Sequence, residues 1–524
     1  MHQNVLLTKG RLKNKLIVKL KMSQKKIKKQ KSETAVKPMR MLFWGDTPDC
    51  ATGFGTVSRN ILKRLAMTGR YLIDVIGIND RGGYKDPYKH PYRIYPAKIG
   101  IDVGYDADFH GRGRLVSSVL GKDPDLKPPW DIVFTLNDPF ILEEPVRVFN
   151  EGTMVVLKKA QEAFKKSPKV PVEYNFKIVS YWPVDSLIRG NWLEKAVALS
   201  DYPVAYTQYC KDEIEKADIS LTKPTKVGER TRIIYHGVNL EDFHPITDKE
   251  RMDFREKFFD GRVKKDTFLI SVIARNQMRK DLSRTLAIFA EFLKRRPDSF
   301  LYLNCQDNDA WGSLQEFARN YRNLRYGENW ITPAVFSANA GFKIDTINRI
   351  YCASDCILST SLGEGFGFYN LEGFATKTVV VGPNNTTHPE LFNYDKSEDI
   401  TDIEKIYTKL RGVPMLSGST SSEWVSFGNG DLERVRPTTN VADAVKKLIW
   451  VYDNTDKVKE ITERAYNWVI NYSWDNVVKE WDKLFTEVYE QLQKERKELL
   501  KNPPKLDKEE EKLQNGQNDK TDKA

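Results

Sequence analysis

Two acids eight residues apart carry the strongest chemical signal in this chain. Glu364 and Glu372 lie in STSLGEGFGFYNLEGFATKTVVVGP, residues 359–383, which reads as a short apolar strand, a glycine-broken turn and a helix. Eight residues make about two helical turns, so both carboxylates can face one ligand from the lip of a strand-to-helix junction. Gly363, Gly365 and Gly367 let the backbone approach that ligand closely. A helix beginning near Phe366 turns free N–H groups and a positive dipole end toward an anion, the way α/β proteins hold phosphate. A glycine-rich turn alone is often only a loop; the paired acids make this one a candidate site. Upstream, IARNQMRKD sets Arg275 at a strand end, Lys280 five residues on and Arg279 between them. If both strands belong to one sheet, these cations face the same cleft as Glu364.

Positioning such groups requires a parallel sheet, and the chain has the pattern of two. After Pro38, short apolar strands alternate with amphipathic helices, which predicts a doubly wound α/β architecture. MRMLFWGDT reads as a strand, PDCATGFG as a loop, TVSRNILKRLAM as a helix and YLIDVIGIN as the next strand; further strands are expected at 131–136, 177–182, 202–207 and 232–235. Residues 81–129 read as loops with one strand near 93–95. A second alternation opens with FLISVIAR, the helix DLSRTLAIFAEFLKRR and the strand SFLYLNCQ. The expected division is a basic arm over 1–38, a first Rossmann-like domain over 39–241, a second over 242–470, a helix over 471–493 crossing back to the first domain, and a charged tail over 494–524. Two such halves place a cleft between the carboxyl ends of both sheets. Trp468, Trp474 and Trp481 fall among apolar helix positions and read as core. Residues 401–439 read as an insertion.

Of the net charge of +11, residues 1–40 hold +12, with thirteen Lys or Arg against Glu33, so the remainder sums to −1. The basicity belongs to the arm, which is expected to be disordered in isolation. It suits a solvated leader, or contact with nucleic acid phosphates or an anionic membrane surface. With no apolar run of about 20 residues and no signal-peptide core, the expected residence is cytoplasmic, with peripheral attachment at the inner membrane face as an option. The five cysteines are scattered and odd in number, arguing against disulfides; Cys352 and Cys356, spaced so that they could share a helix face, read as buried small apolar residues, and no metal site is expected.

Glu-x7-Glu within GEGFGFYNLEGFA resembles the donor-binding signature of family 4 glycosyltransferases, retaining enzymes of the two-domain GT-B architecture. The resemblance spans about residues 41–390. It implies that Arg275 and Lys280 grip the diphosphate of a nucleotide sugar (UDP- or GDP-linked), that Glu372 accepts from the ribose hydroxyls, and that Glu364 orients the sugar. Gly365, Phe366 and Gly367 would line the donor site. GDTPDCATGFG, with Gly53 and Gly55, resembles the glycine loop of the first domain, although the family's adjacent glycine pair is here Gly-Phe-Gly. YWPVDS places Asp185 where relatives keep a polar residue near the sugar, against the alternative that it caps a turn. GPNNTTHPELF, with Asn384 to Thr387, replaces a glycine-rich stretch of many relatives, and Glu390 is expected to anchor that loop. No cofactor beyond the donor substrate is implied. The expected acceptor is a hydroxyl on a glycan or lipid-linked glycan, with a hydroxylated DNA base as the second option. A non-catalytic sugar-nucleotide or glycan binder is the reading from another class.

Overall fold

Near-continuous runs of Val, Ile, Leu and aromatic residues build two parallel sheets, as burial on both faces requires. The computed structural model describes residues 37–98, 108–334, 341–428 and 434–504; most of the basic arm and the end of the tail lie outside the described residues. The first sheet comprises β1 (Met39–Asp46), β2 (Tyr71–Ile78), β3 (Arg93–Pro96), β4 (Ile132–Leu136), β5 (Lys177–Trp182), β6 (Tyr202–Ala205) and β7 (Arg232–Ile233). Their order is β3-β2-β1-β4-β5-β6-β7, every pairing parallel. The second comprises β8 (Phe268–Val272), β9 (Ser299–Leu303), β10 (Trp330–Ile331), β11 (Cys356–Leu358), β12 (Val379–Pro383) and β13 (Val413–Met415), in the order β10-β9-β8-β11-β12-β13 and again parallel. Both sheets reverse direction beside their first strand, the switch point where such folds bind ligands.

Alternation along β1 divides the first core. Met41 and Phe43 pack with helix Gly53–Met67 and the last helix, whereas Leu42 and Trp44 face the opposite layer with Leu115, Leu157 and Ile214. Thr52 caps Gly53–Met67 by accepting from the Gly55 amide at 2.9 Å. The helix Arg112–Val119 lies where the sequence reading expected only loop. Val413–Met415 is the edge strand of the second sheet, so residues 401–439 are an integral part of that domain and no simple insertion; they also carry the hairpin Trp424–Ser426 with Val435–Pro437. Cys356 begins β11, whereas Cys352 ends a helix, so the two do not share a helix face. All five cysteines are free.

The last helix, Trp474–Lys501, continues past the expected boundary at 493. Trp474, Val477, Trp481, Phe485, Val488 and Leu492 recur every three to four residues and seat it on the first sheet, with the Trp481 and Phe134 rings 5.0 Å apart. Arg64–Asp475 (2.6 Å), Tyr71–Asp482 (2.6 Å), Lys177–Glu495 (2.6 Å) and Arg496–Asp131 (2.5 Å) run along it. No described helix is long and apolar enough to cross a membrane.

Candidate functional site

The carboxyl ends of β8 and β11 bring two cations onto one acid. After β8 the chain makes a 3-10 turn over Met278–Lys280, and the Lys280 ammonium bonds one oxygen of Glu364 while Arg279 donates to the other at 3.0 Å. Arg279 also donates to the Gly363 carbonyl at 2.7 Å. Burial alone would raise the Glu364 carboxyl; Lys280 and Arg279 outweigh it and hold it at about 2. Burial lowers Lys280 to about 8 against the pull of Glu364. The result is a compact, charged, largely dehydrated group at the lip of the second sheet.

The first domain answers with Asp185, which follows β5. Its carboxylate accepts from Arg434 at 2.9 Å and Arg436 at 3.2 Å and lies 3.4 Å from Arg279. Burial opposes ionisation here too, but Arg436, Arg279 and Arg434 bring the group down to about 2. Asp138, after β4, is raised to about 7, first by burial and then by neighbouring Asp185, with Arg434 and Arg279 opposing. Asp46, at the end of β1, is raised by burial despite accepting from Thr52 at 2.5 Å. Thus the switch point of the first sheet presents Asp138 toward Arg279 and Arg434, whereas Asp46 is held by Thr52 and Asn79 of its own domain. Glu390 also spans the domains: it accepts from the Gln208 and Tyr209 amides (2.9 and 3.3 Å), which open the helix Gln208–Ile219, and from the Tyr235 hydroxyl. It therefore tethers the two halves instead of anchoring its own loop as expected.

Other expected site residues fall at varied distances from this cluster. Arg275 does not join it. Its guanidinium is paired with Asp309 at 2.8 and 3.2 Å and its side chain is 53% exposed, because β8 ends at Val272 and the intervening turn carries Arg279 inward in its place. Glu372 sits on the helix Phe368–Ala375, accepts from the Tyr351 hydroxyl at 2.5 Å and is raised to about 7 by burial; it shares no partner with Glu364. The helix starts two residues later than expected, with Gly367 in the left-handed region at φ 79° as its cap. Phe366 is buried against His236, ring centroids 4.5 Å apart, leaving its side chain to the interdomain core. Gly365 faces Pro183 of the first domain, Gly53 opens its helix beside the Phe368 ring, and Gly55 lies against Cys50. The Asn384–Thr387 stretch braces the turn: Thr386 accepts from the Glu364 amide at 3.0 Å and Asn385 donates to the Ser361 carbonyl at 3.0 Å.

Sequence reasoning missed Arg434, Arg436 and Asp138. Both arginines lie in the stretch read only as an insertion, where nothing local told that Val435–Pro437 is a strand or which domain its arginines would meet. A groove of about 700 Å³, lined by Lys265, Asp355 and Lys377 among others, opens at the amino ends of β8 and β12 and so faces away from this cluster.

No family model matches the chain, and no curated protein matches it by sequence. Solved structures do match. Sucrose-phosphate synthase from Thermosynechococcus elongatus superposes with a TM-score of 0.59 at 12% identity, over 86% of this chain and 100% of its own. A glycosyltransferase from Rickettsia africae gives 0.57 at 16% identity, over 87% and 99%. Anabaena Alr3699/HepE in complex with UDP gives 0.56 at 14% identity, over 86% and 100%. The architecture is the two-domain GT-B fold seen in glycosyltransferases, with helices closing the C-terminus.

Proposed function

We propose that this protein is a retaining glycosyltransferase that moves a sugar from a nucleotide-sugar donor to an acceptor hydroxyl. The observation that carries the reading is the Lys280–Glu364–Arg279 cluster at the carboxyl ends of the second sheet, facing Asp138 and Asp185 across a GT-B cleft. The structural neighbours include complexes with UDP and with UDP-glucose, which makes a uridine diphosphate sugar the first donor to test.

In this reading the donor diphosphate draws Lys280 and Arg279 away from Glu364. The bond between the anomeric carbon and the diphosphate oxygen breaks, its electron pair leaves with the diphosphate, and the two cations stabilise that growing charge more than the ground state. Glu364, released from Lys280, accepts from a hydroxyl of the sugar and orients it. The acceptor oxygen bonds to the anomeric carbon on the face the diphosphate leaves, and its proton passes to the departing oxygen. Glu372, with Tyr351 donating to one oxygen, keeps the other for the ribose hydroxyls. Asp185 belongs to the closure of the cleft, where it sets Arg279.

The test is a thermal-shift screen of nucleotide sugars followed by nucleoside diphosphate release and the anomeric configuration of the product. A donor that raises the Tm, is consumed and yields a retained configuration supports the proposal. An inverted product sinks the retaining step, and tight donor binding with no release for any acceptor leaves a binding protein in its place.

A further inference from the structure

Two polar groups at the carboxyl edge of the first sheet have no hydrogen-bond partner among the described residues. Tyr206, directly after β6, is 2% exposed, and its hydroxyl makes no hydrogen bond. Its ring packs on Tyr181 and His236, with centroids 4.2 Å from each. A phenylalanine would fill that space equally well, and a buried hydroxyl left unpaired is destabilising. Asp138 stands just before the helix Pro139–Glu143, where an aspartate ordinarily accepts from the first helix amides. Its side chain does not cap that helix, and its carboxylate accepts from no described residue. Asn137 accepts from the Asp138 amide at 2.8 Å, which fixes the backbone and leaves the carboxylate to the cleft. The two groups belong to one place. The Tyr206 hydroxyl lies in the field of the Asp138 and Asp46 carboxylates, and Asp138 in turn faces Asp185, Arg434 and Arg279. Gly365, the residue after Glu364, covers the Tyr206 ring: a Cβ there would stand 3.7 Å from its Cδ2. An unpaired donor and an unpaired acceptor thus sit beneath the turn that carries Glu364.

We infer that Tyr206 and Asp138 form a subsite for an uncharged, polyhydroxylated molecule, a sugar or polyol, with the phenol donating to one of its hydroxyls and the carboxylate accepting from the same hydroxyl. A hydroxyl both accepts and donates, so it satisfies the pair at once. Asp46, Asp138 and Asp185 make this edge acidic, and the cations that face it are engaged already, Arg434 and Arg436 by Asp185 and Arg279 by Glu364. A phosphate placed here would set a further negative charge beside Asp138, whereas a sugar hydroxyl adds none. That this molecule receives the transferred sugar rests on the transfer reading above; the subsite itself does not. Within that reading the subsite holds a hydroxyl beside the reacting one, whose proton stays free to pass to the departing diphosphate oxygen.

The full-length protein is titrated by saturation-transfer NMR with methyl α-glucoside, maltotriose and glucose 6-phosphate, without nucleotide sugar. Binding of either neutral glycoside, weakened about fivefold or more in Tyr206→Phe and in Asp138→Asn, supports the inference. No binding of either, equal affinity in Tyr206→Phe, or tighter binding of glucose 6-phosphate overturns it. Because phenylalanine keeps the ring contacts, the Tm of Tyr206→Phe should match or exceed that of the parent. A lower Tm would mean that the hydroxyl is already bonded within the protein, which overturns the inference as well. UDP-glucose should shift the Tm of the parent and of Tyr206→Phe alike; a shift lost in the variant would move Tyr206 to the donor side and overturn its role here. Failure of every nucleotide sugar to shift the parent would overturn the transfer reading, while the glycoside titration decides the subsite independently.

Discussion

Lys280 and Arg279 both pair with Glu364, so in the proposed transfer they would share the work that the sequence motif assigns to Arg275 and Lys280. Both reach Glu364, so both are placed to transfer their charge to an incoming diphosphate. Lys280→Ala should therefore lower turnover about tenfold or more with the fold retained, and Arg279→Ala further, since Arg279 also meets Asp185. Arg275→Ala removes only an exposed pair with Asp309 and should leave turnover within about twofold. Steady-state assays of the three variants separate these outcomes; a large loss in the last alone would return the role to Arg275. Glu372 supplies a pH dependence. Burial keeps it protonated up to about 7, so between its ordinary range and 7 the folded chain binds a proton that the unfolded chain has released. Its contribution to stability is full in acid and lost as pH rises through 7. In the proposed donor complex the dependence runs the other way, because ribose hydroxyls would need the Glu372 carboxylate. Donor affinity should rise between about pH 6 and 8, and Glu372→Gln should flatten that slope in calorimetric titrations.

At the level of elements, the turn after β11 and the hairpin ending at Pro437 meet the loop after β5 with no spare room. A Cβ on Gly363 would lie 2.1 Å from the Asp185 carbonyl oxygen and 2.9 Å from the Arg436 guanidinium. Gly363→Ala should thus push the domains apart at the site, costing roughly 1–3 kcal/mol in urea denaturation together with most of the turnover. A fully active, equally stable variant would show that this junction opens freely. The strands of the first sheet and β8 and β9 of the second were legible because burial on two faces enforces uninterrupted apolar runs, whereas β10 and β13, of two and three residues, are too short to show one. Glu364 and Lys280 were legible because a strand-to-helix turn imposes its spacing. Arg279 was legible only as a neighbour in the motif, since a 3-10 turn decides which of two arginines points inward. Arg434 and Arg436 owe their place to contacts about 250 residues away in sequence, which no local periodicity encodes.

For the whole molecule, the helix Trp474–Lys501 couples stability to a contact far apart in sequence. Arg496 is buried, donates to Asp131 at 2.5 Å and to the backbone carbonyls of Glu173 and Asn175 at 2.7 and 2.6 Å. Arg496→Ala strands the Asp131 carboxylate near the edge of the core and should cost about 3 kcal/mol or more, read as a lowered Tm. Arg496→Lys should recover only part of that, for lack of the guanidinium fork. A variant as stable as the parent would mean that the apolar stripe of the helix suffices by itself.

That same helix sets an order on biosynthesis. The Asp131–Arg496 contact closes over 365 positions, so a ribosome making about 5–20 residues each second leaves the earliest-made sheet without one wall for roughly 20–70 s. A nascent chain thus carries an open apolar face around Phe134 until this helix has been made, and shielding it falls to whatever holds the polypeptide in the meantime.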